Sequence, residues 1–267
     1  MKNVSIKVAN TAKLPLAILR GTEKQRYSLS NNYFKALREK VLNEKDVLTL
    51  SSYKEMINSV LPENSIDLKI IKNKNKKILG GLAILPQLRE TPAEIQVTQI
   101  GYSMRLPMKN NKITDKLTAL HEARHFFDHI CNPKTVVNRS YKLYENDEAY
   151  NKRSVIFEMF MRNYSKNVEM NDFKQEVRSR ISELDSDVII DLLQDLRSSL
   201  RTEVNAYNGD FKMLMKSPFK NYIEIVNLLY TMNFILKFKQ KLNFANKLLL
   251  EQLNLQRMEL KRNSLKK

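Results

Sequence analysis

The chain has 267 residues, enough for one large domain or two small ones. With 42% hydrophobic and 28% charged residues, its composition is that of a folded globular protein rather than a disordered tail. The single cysteine, Cys131, excludes a disulfide-stapled fold and a zinc ribbon built on paired cysteines, and it fits a reducing compartment. Histidine is almost as rare, because the only three are His121, His125 and His129.

The hydropathy of the chain predicts neither a secretory signal nor a membrane crossing. The longest apolar stretch near the N-terminus, residues 14–19, contains a proline and ends at Arg20, so it is too short and too interrupted for a signal peptide. No run approaches 18 apolar residues, the length that a membrane-spanning helix needs. We therefore expect a cytoplasmic protein, or one that is exported without a general secretory signal peptide, including export into a host cell.

The first third of the chain is predicted to be mixed α and β. Apolar residues at helical spacing predict helices at 31–42 and 51–61. Strand-like runs follow at 66–71 and 78–85, and the basic, turn-like segment between them predicts that the two form a β-hairpin. A further strand is predicted at 95–106, where the sequence alternates and is rich in β-branched and aromatic residues.

Beyond this strand the chain reads as helical almost to its end. Helices are predicted at 114–130 and from residue 145 onward, and Asp210 and Pro218 are predicted to separate later helices. We therefore expect an α+β protein with two regions, a mixed catalytic domain at 1–165 and a mostly α-helical region at 166–267. The two regions lack a Pro/Gly-rich linker, so they can also pack as one domain.

The predicted helix at 114–130 carries the sequence H-E-x-x-H, with histidines at 121 and 125. Residues four apart on a helix lie roughly 6 Å apart along the axis and on nearly the same face, so both imidazoles can reach one tetrahedral Zn²⁺. Glu122 projects nearby and is predicted to take a proton from a water on the metal. The alternative to a metal site is a solvent-facing helix that carries these charges without binding a metal.

The third metal ligand is predicted to be a glutamate. His129 is a poor candidate because it lies about 12 Å along the helix from His121, and no glycine breaks the helix between them. Glu145 and Glu148 begin the next predicted helix, 20 and 23 residues after His125, and either can complete the site with one position left for water. The alternative for these acids is a favourable interaction with the positive end of a helix.

The H-E-x-x-H motif followed by a glutamate-bearing helix resembles the gluzincin branch of zinc metallopeptidases. The run 147–149 is similar to the Asn-Glu-Ala run of thermolysin-like enzymes, with Asp in place of Asn. The resemblance implies a zincin fold, in which a twisted sheet covers the motif helix, and one Zn²⁺ per chain. It implies that residues 101–106 form the edge strand that pairs with an extended substrate. The family often uses a histidine or tyrosine to stabilise the transition state, which points to Tyr141, Tyr144 or Tyr150.

The sequence therefore favours a zinc-dependent endopeptidase acting on a protein substrate. An unsecreted, basic chain of this kind is also similar to bacterial effector proteases, whose substrate is a host protein. The formal charge is +17, with basic clusters at 69–77 and 237–267 that are able to bind nucleic acid or an anionic surface. Two alternatives remain: a nucleic-acid-associated, antirestriction-like protein with a zincin-like domain, and a non-catalytic adaptor.

Overall fold

The computed structural model describes residues 3–5, 21–61, 67–72, 81–90, 94–108, 112–131, 148–161, 170–215 and 222–264. These ranges form a small sheet and a larger set of helices, so the protein is α+β as expected. The strands are β1 (Asn3–Ser5), β2 (Asp67–Lys72), β3 (Gly81–Glu90) and β4 (Glu94–Leu106). The helices are α1 (Glu23–Asn43), α2 (Leu50–Asn58), α3 (Lys112–Cys131), α4 (Glu148–Met161), α5 (Met170–Ile181), α6 (Ser186–Leu214) and α7 (Tyr222–Ser264).

The sheet is built around β4. β3 pairs with β4 in antiparallel fashion, whereas β1 and β2 pair with it in parallel. The predicted hairpin between residues 66–71 and 78–85 is therefore wrong, because the hairpin joins β3 to β4. The physical reason is the connection: only three residues separate β3 from β4, and a loop this short favours antiparallel pairing.

The prediction that residues 101–106 form an edge strand is also wrong. Each of these residues pairs with β2, and most pair with β3 as well, so both sides of this part of β4 are occupied. In the described part of the chain, the outer side of β3 is the longest strand edge without a pairing partner. Pro86 lies in this strand. Proline is tolerated in an edge strand because a missing N–H on the unpaired side costs no hydrogen bond.

Two capping boxes fix where the first helices begin. Thr22 caps α1 and Thr49 caps α2, each accepting a hydrogen bond from the backbone N–H three residues later. The side chains of Gln25 and Ser52 bond back to the cap residues, so both orphan donors are satisfied in each case. Both helices begin earlier than the apolar spacing alone predicted.

Contacts divide the chain into two compact units, which differ from the predicted regions 1–165 and 166–267. The sheet unit contains residues 1–140 and 205–228, and the helical unit contains residues 141–204 and 229–267. The sheet unit takes in the second half of α6 because Met213 joins its core, among side chains such as Leu37 and Phe127. Among the described residues, no helix has both the length and the hydropathy that crossing a membrane requires.

The helical unit has its own aromatic core. Phe160, Phe173 and Phe244 pack together, with ring centroids 5.1 to 6.1 Å apart. The ammonium of Lys241 donates to the carbonyl of Phe160 at 2.9 Å. This contact satisfies a carbonyl in the last turn of α4, which has no partner within its own helix.

Candidate metal centre

Helix α3 is held in the sheet unit by a broad apolar face. Its fully or nearly fully buried side chains include Leu120, Phe126 and Phe127, and the ring of Tyr102 from β4 meets Phe126 edge-on at 5.1 Å. The hydroxyl of Tyr53 on α2 donates to the carbonyl of Ala119 at 2.5 Å. The motif helix is thus fixed on several sides, whereas His121 and His125 remain half-buried.

The two motif histidines converge on one point. Their Nε2 atoms lie 3.1 Å apart, and the ring planes meet at 69°. Two nitrogens on a tetrahedral Zn²⁺ are about 3.3 Å apart, given Zn–N distances of about 2.0 Å. The two nitrogens therefore have the separation that a shared divalent cation needs. The same separation also allows a hydrogen bond between the two rings.

Asp210 determines which nitrogen of His121 is available. Its Oδ2 lies 2.9 Å from Nδ1 of His121. An ionised carboxylate only accepts hydrogen bonds, so Nδ1 carries the proton and Nε2 of the neutral ring presents a lone pair toward His125. Burial raises the pKa of the Asp210 carboxyl above its ordinary value, and the charge and hydrogen bond of His121 act in the opposite direction.

A carboxylate completes the cluster. Glu203 on α6 offers an oxygen that, with one nitrogen from each of His121 and His125, forms a set of atoms all within 4.8 Å of one another. On the same helix face, one and two turns later, come Tyr207 and Asp210. The Tyr207 ring meets that of His121 at 4.6 Å. Glu203, Tyr207 and Asp210 all lie on the one continuous helix α6.

Glu122, the predicted general base, is buried, with 7% of its surface exposed. Its negative charge raises the pKa of the Tyr53 hydroxyl, in addition to the larger effect of burial on that group. The carboxylate is therefore largely removed from solvent. Its assignment as the base rests on its place directly after His121 in the motif.

Most of the other predicted site residues, or their side chains, lie outside the part of the chain that the structure describes. Glu145 lies outside the described residues, and Glu148 is described only as the first residue of α4. Tyr141 and Tyr144 also lie outside the described residues, and the side chain of Tyr150 is not described. His129 stands in the last turn of α3, where a cation suits the negative helix end.

Sequence reasoning missed Glu203, Tyr207 and Asp210. The signal was weak: these three polar residues share one helix face at i, i+4 and i+7, but the same helix carries many other polar and charged residues. This stripe was not recognised in the sequence, because Asp210 was predicted to separate two helices. Asp210 lies inside α6 and is buried, with its carboxylate on His121 rather than in a loop.

No protein-family model, no curated protein and no solved structure matches this chain.

Proposed function

We propose that the protein is a zinc-dependent endopeptidase with a zincin-like catalytic unit. The observation that carries the proposal is the convergence of His121 and His125, whose Nε2 atoms lie 3.1 Å apart, with Glu122 next to the first of them in sequence. Two imidazoles and one carboxylate form the ligand set of catalytic zinc sites that keep a fourth position open. Among the described residues the candidate ligands are His121, His125 and Glu203, whereas a structural zinc site normally has four protein ligands, so this set favours catalysis.

The donor atoms suit Zn²⁺ better than they suit Mg²⁺ or Ca²⁺. Those harder cations prefer a shell of oxygen ligands, whereas imidazole nitrogen suits zinc and its neighbours among the transition metals. Asp210 supports this choice, since a ligand histidine ordinarily donates its second N–H to a carboxylate or carbonyl. A cation bound here would supply a nucleophile at neutral pH by lowering the pKa of water toward about 7, and would polarise the scissile carbonyl.

The residues of the chain account for the proton transfers. Glu122 accepts a proton as water adds to the carbonyl carbon of the peptide bond, and it then gives that proton to the amine as the C–N bond breaks. The products are a carboxylic acid and an amine, and Glu122 returns to its starting state. Tyr207 lies beside His121, where its hydroxyl is a suitable donor to the oxyanion that develops on the carbonyl oxygen.

The third ligand in this proposal is Glu203 rather than Glu145 or Glu148. A zincin-like arrangement needs the motif helix against a sheet and a second helix that supplies the carboxylate. Here α3 contacts β3 and β4, and α6 carries the carboxylate. The carboxylate helix comes much later in the chain than the resemblance to thermolysin-like enzymes implied.

The proposal is tested with the full chain loaded with one equivalent of Zn²⁺. The probe is a peptide library made by digesting a whole-cell extract, with new amino termini identified by mass spectrometry. We expect the wild-type chain to generate new termini at a recurring sequence, and Glu122→Gln to bind the same amount of zinc without cleaving. Absence of cleavage by the zinc-loaded wild type, or equal cleavage by Glu122→Gln, contradicts the proposal.

A further inference from the structure

The motif helix α3 and helix α1 are joined by a buried polar network beside the metal centre. Arg124, inside the H-E-x-x-H motif, forms an ion pair with Asp128 one turn later, at 2.8 Å. The guanidinium also donates to Oδ1 of Asn31 on α1 at 2.7 Å. The hydroxyl of Ser30, also on α1, bonds to the carboxylate of Asp128. Because Ser30, Arg124 and Asp128 are buried and these bonds cross from one helix to the other, the network joins α1 to α3.

Aromatic rings from α1 complete this junction. The guanidinium of Arg124 lies 5.6 Å from the ring centre of Tyr27 and 5.4 Å from that of Phe34. Both distances are within the range of cation–π attraction. The Phe34 ring is itself 6% exposed, so it has little freedom to move aside.

The second half of α6 contacts both of these helices. Asn205 accepts a hydrogen bond from the Tyr27 hydroxyl at 3.3 Å, and its side chain also bonds to Asp128. One turn later, Gly209 faces Phe34. A Cβ atom at Gly209 would lie 2.8 Å from Cζ and 3.1 Å from Cε1 of that ring. These distances are shorter than a carbon–carbon contact allows, so α6 approaches α1 this closely only because residue 209 has no side chain.

The same segment of α6 carries the groups of the metal centre on its adjacent face. Asp210 directly follows Gly209, and Tyr207 lies two residues before it. Glycine inside a helix costs stability, so its presence at the point of closest approach indicates a packing requirement. A displacement of the helix at Gly209 would carry Asp210 away from Nδ1 of His121.

We propose that Gly209 and Asn205 are positioning residues of the metal centre. Asn205 sets the register of α6 along the junction of α1 and α3, and Gly209 sets the depth to which α6 packs. Together they place Asp210 on His121. This inference rests on the proposed metal site and adds to it a requirement on residues that touch no metal.

The test is the affinity of the full chain for Co²⁺, followed through the visible absorption of the bound ion. Gly209→Ala should weaken binding by about tenfold or more, the range expected when groups that orient metal ligands are disturbed. Phe34→Leu removes the ring atoms that the new methyl would meet. The double variant Gly209→Ala/Phe34→Leu should therefore bind more tightly than Gly209→Ala, in a double-mutant cycle with Phe34→Leu alone.

Ile57→Val is the matched control, because Ile57 is fully buried in the same unit but lies on α2, away from the α1–α6 contact. It should leave Co²⁺ affinity unchanged. Should Gly209→Ala prove too unstable to purify, Asn205→Ala removes the bonds to Asp128 and Tyr27 without adding volume, and it should also weaken Co²⁺ binding.

Three results overturn the inference while leaving the metal site intact: unchanged affinity in Gly209→Ala or Asn205→Ala, no recovery in the double variant, or an equal loss in Ile57→Val. A wild-type chain that binds no Co²⁺ overturns the proposed function and this inference together.

Discussion

The carboxylate of Asp210 lies 2.9 Å from Nδ1 of His121, on the side of the ring opposite the nitrogen that faces His125. The two residues are 89 positions apart in sequence, and both side chains are mostly buried, at 10% and 15% exposure. This contact fixes the ring and its tautomer before any cation binds. It is therefore the structural reason why His121 presents Nε2 toward His125.

Replacing Asp210 with asparagine should weaken zinc binding without removing a ligand. The amide can still accept from Nδ1 but is uncharged, so it stabilises the metal-bound imidazole less. We expect a loss of about 10- to 100-fold in affinity, measured by competition with a chelating dye. Asp187→Asn, an exposed carboxylate on the same helix, is the control and should bind normally. Normal zinc affinity in Asp210→Asn would show that the contact does not orient the ligand.

Substitution of the candidate third ligands separates the two glutamate assignments. Glu203→Ala should lower zinc occupancy to that of a two-histidine site, because two imidazoles alone hold the ion weakly. Glu145→Ala and Glu148→Ala should retain about one zinc per chain, as in a complete catalytic site. The measurement is zinc content after extensive dialysis. The opposite pattern would identify Glu145 or Glu148 as the third ligand, as the sequence predicted.

Tyr207→Phe should lower turnover while leaving zinc content unchanged. The variant keeps the ring that packs on His121 and loses only the hydroxyl, the donor that we propose for the developing oxyanion. Removing one such donor costs about 10²- to 10³-fold in kcat. The control is Tyr230→Phe, since Tyr230 is 59% exposed. Steady-state kinetics on a peptide from the library experiment provide the measurement, and equal turnover in both variants would exclude this role for Tyr207.

The sequence predicted the local features of this fold well and the long-range ones poorly. The motif helix and the strand at 95–106 follow from periodicity, capping and composition within short windows, and both were predicted within about two residues. The pairing of β3 with β4 and the position of Asp210 depend on contacts between distant segments. Gly209 and Asp210 are weak helix formers, so local propensity suggested a break, but burial against α1 and α3 keeps α6 helical.

The same difference between local and long-range features applies to the candidate site. His121, Glu122 and His125 belong to one helical turn and are recognisable from spacing alone. The carboxylate comes from a helix far along the chain, and spacing carries no information about which of several acidic helices folds back onto the motif. The stripe formed by Glu203, Tyr207 and Asp210 becomes recognisable once the helix is known to be continuous.

The stability of the protein should depend on pH through Lys241. Burial, together with the nearby charge of Lys237, lowers the pKa of Lys241 from 10.5 to about 8. Between about pH 8 and 10.5 the unfolded chain binds more protons than the folded chain at this residue, so its contribution to the free energy of unfolding rises with pH across this window. Below pH 8 that contribution is lost, because the buried amine must carry a charge.

The comparison is between wild type and Lys241→Met, by urea denaturation at several pH values. The difference in the free energy of unfolding between the two proteins should shift in favour of wild type as pH rises from 8 to 10.5. Taking this difference cancels the opposing effect of buried groups such as Cys131, whose pKa burial raises to about 12. Lys239→Met, at an exposed position, should show a constant difference. A pH-independent difference for Lys241→Met would contradict the prediction.

The zinc content of the purified 267-residue chain tests the central claim most directly. After loading with excess Zn²⁺ and removal of unbound ion, the wild type should hold about one zinc per chain, the stoichiometry of a single catalytic site. His121→Ala and His125→Ala should each lose it while remaining folded by circular dichroism. A wild-type chain that takes up no zinc, or histidine variants that hold as much zinc as wild type, would contradict the assignment of this cluster as a metal centre.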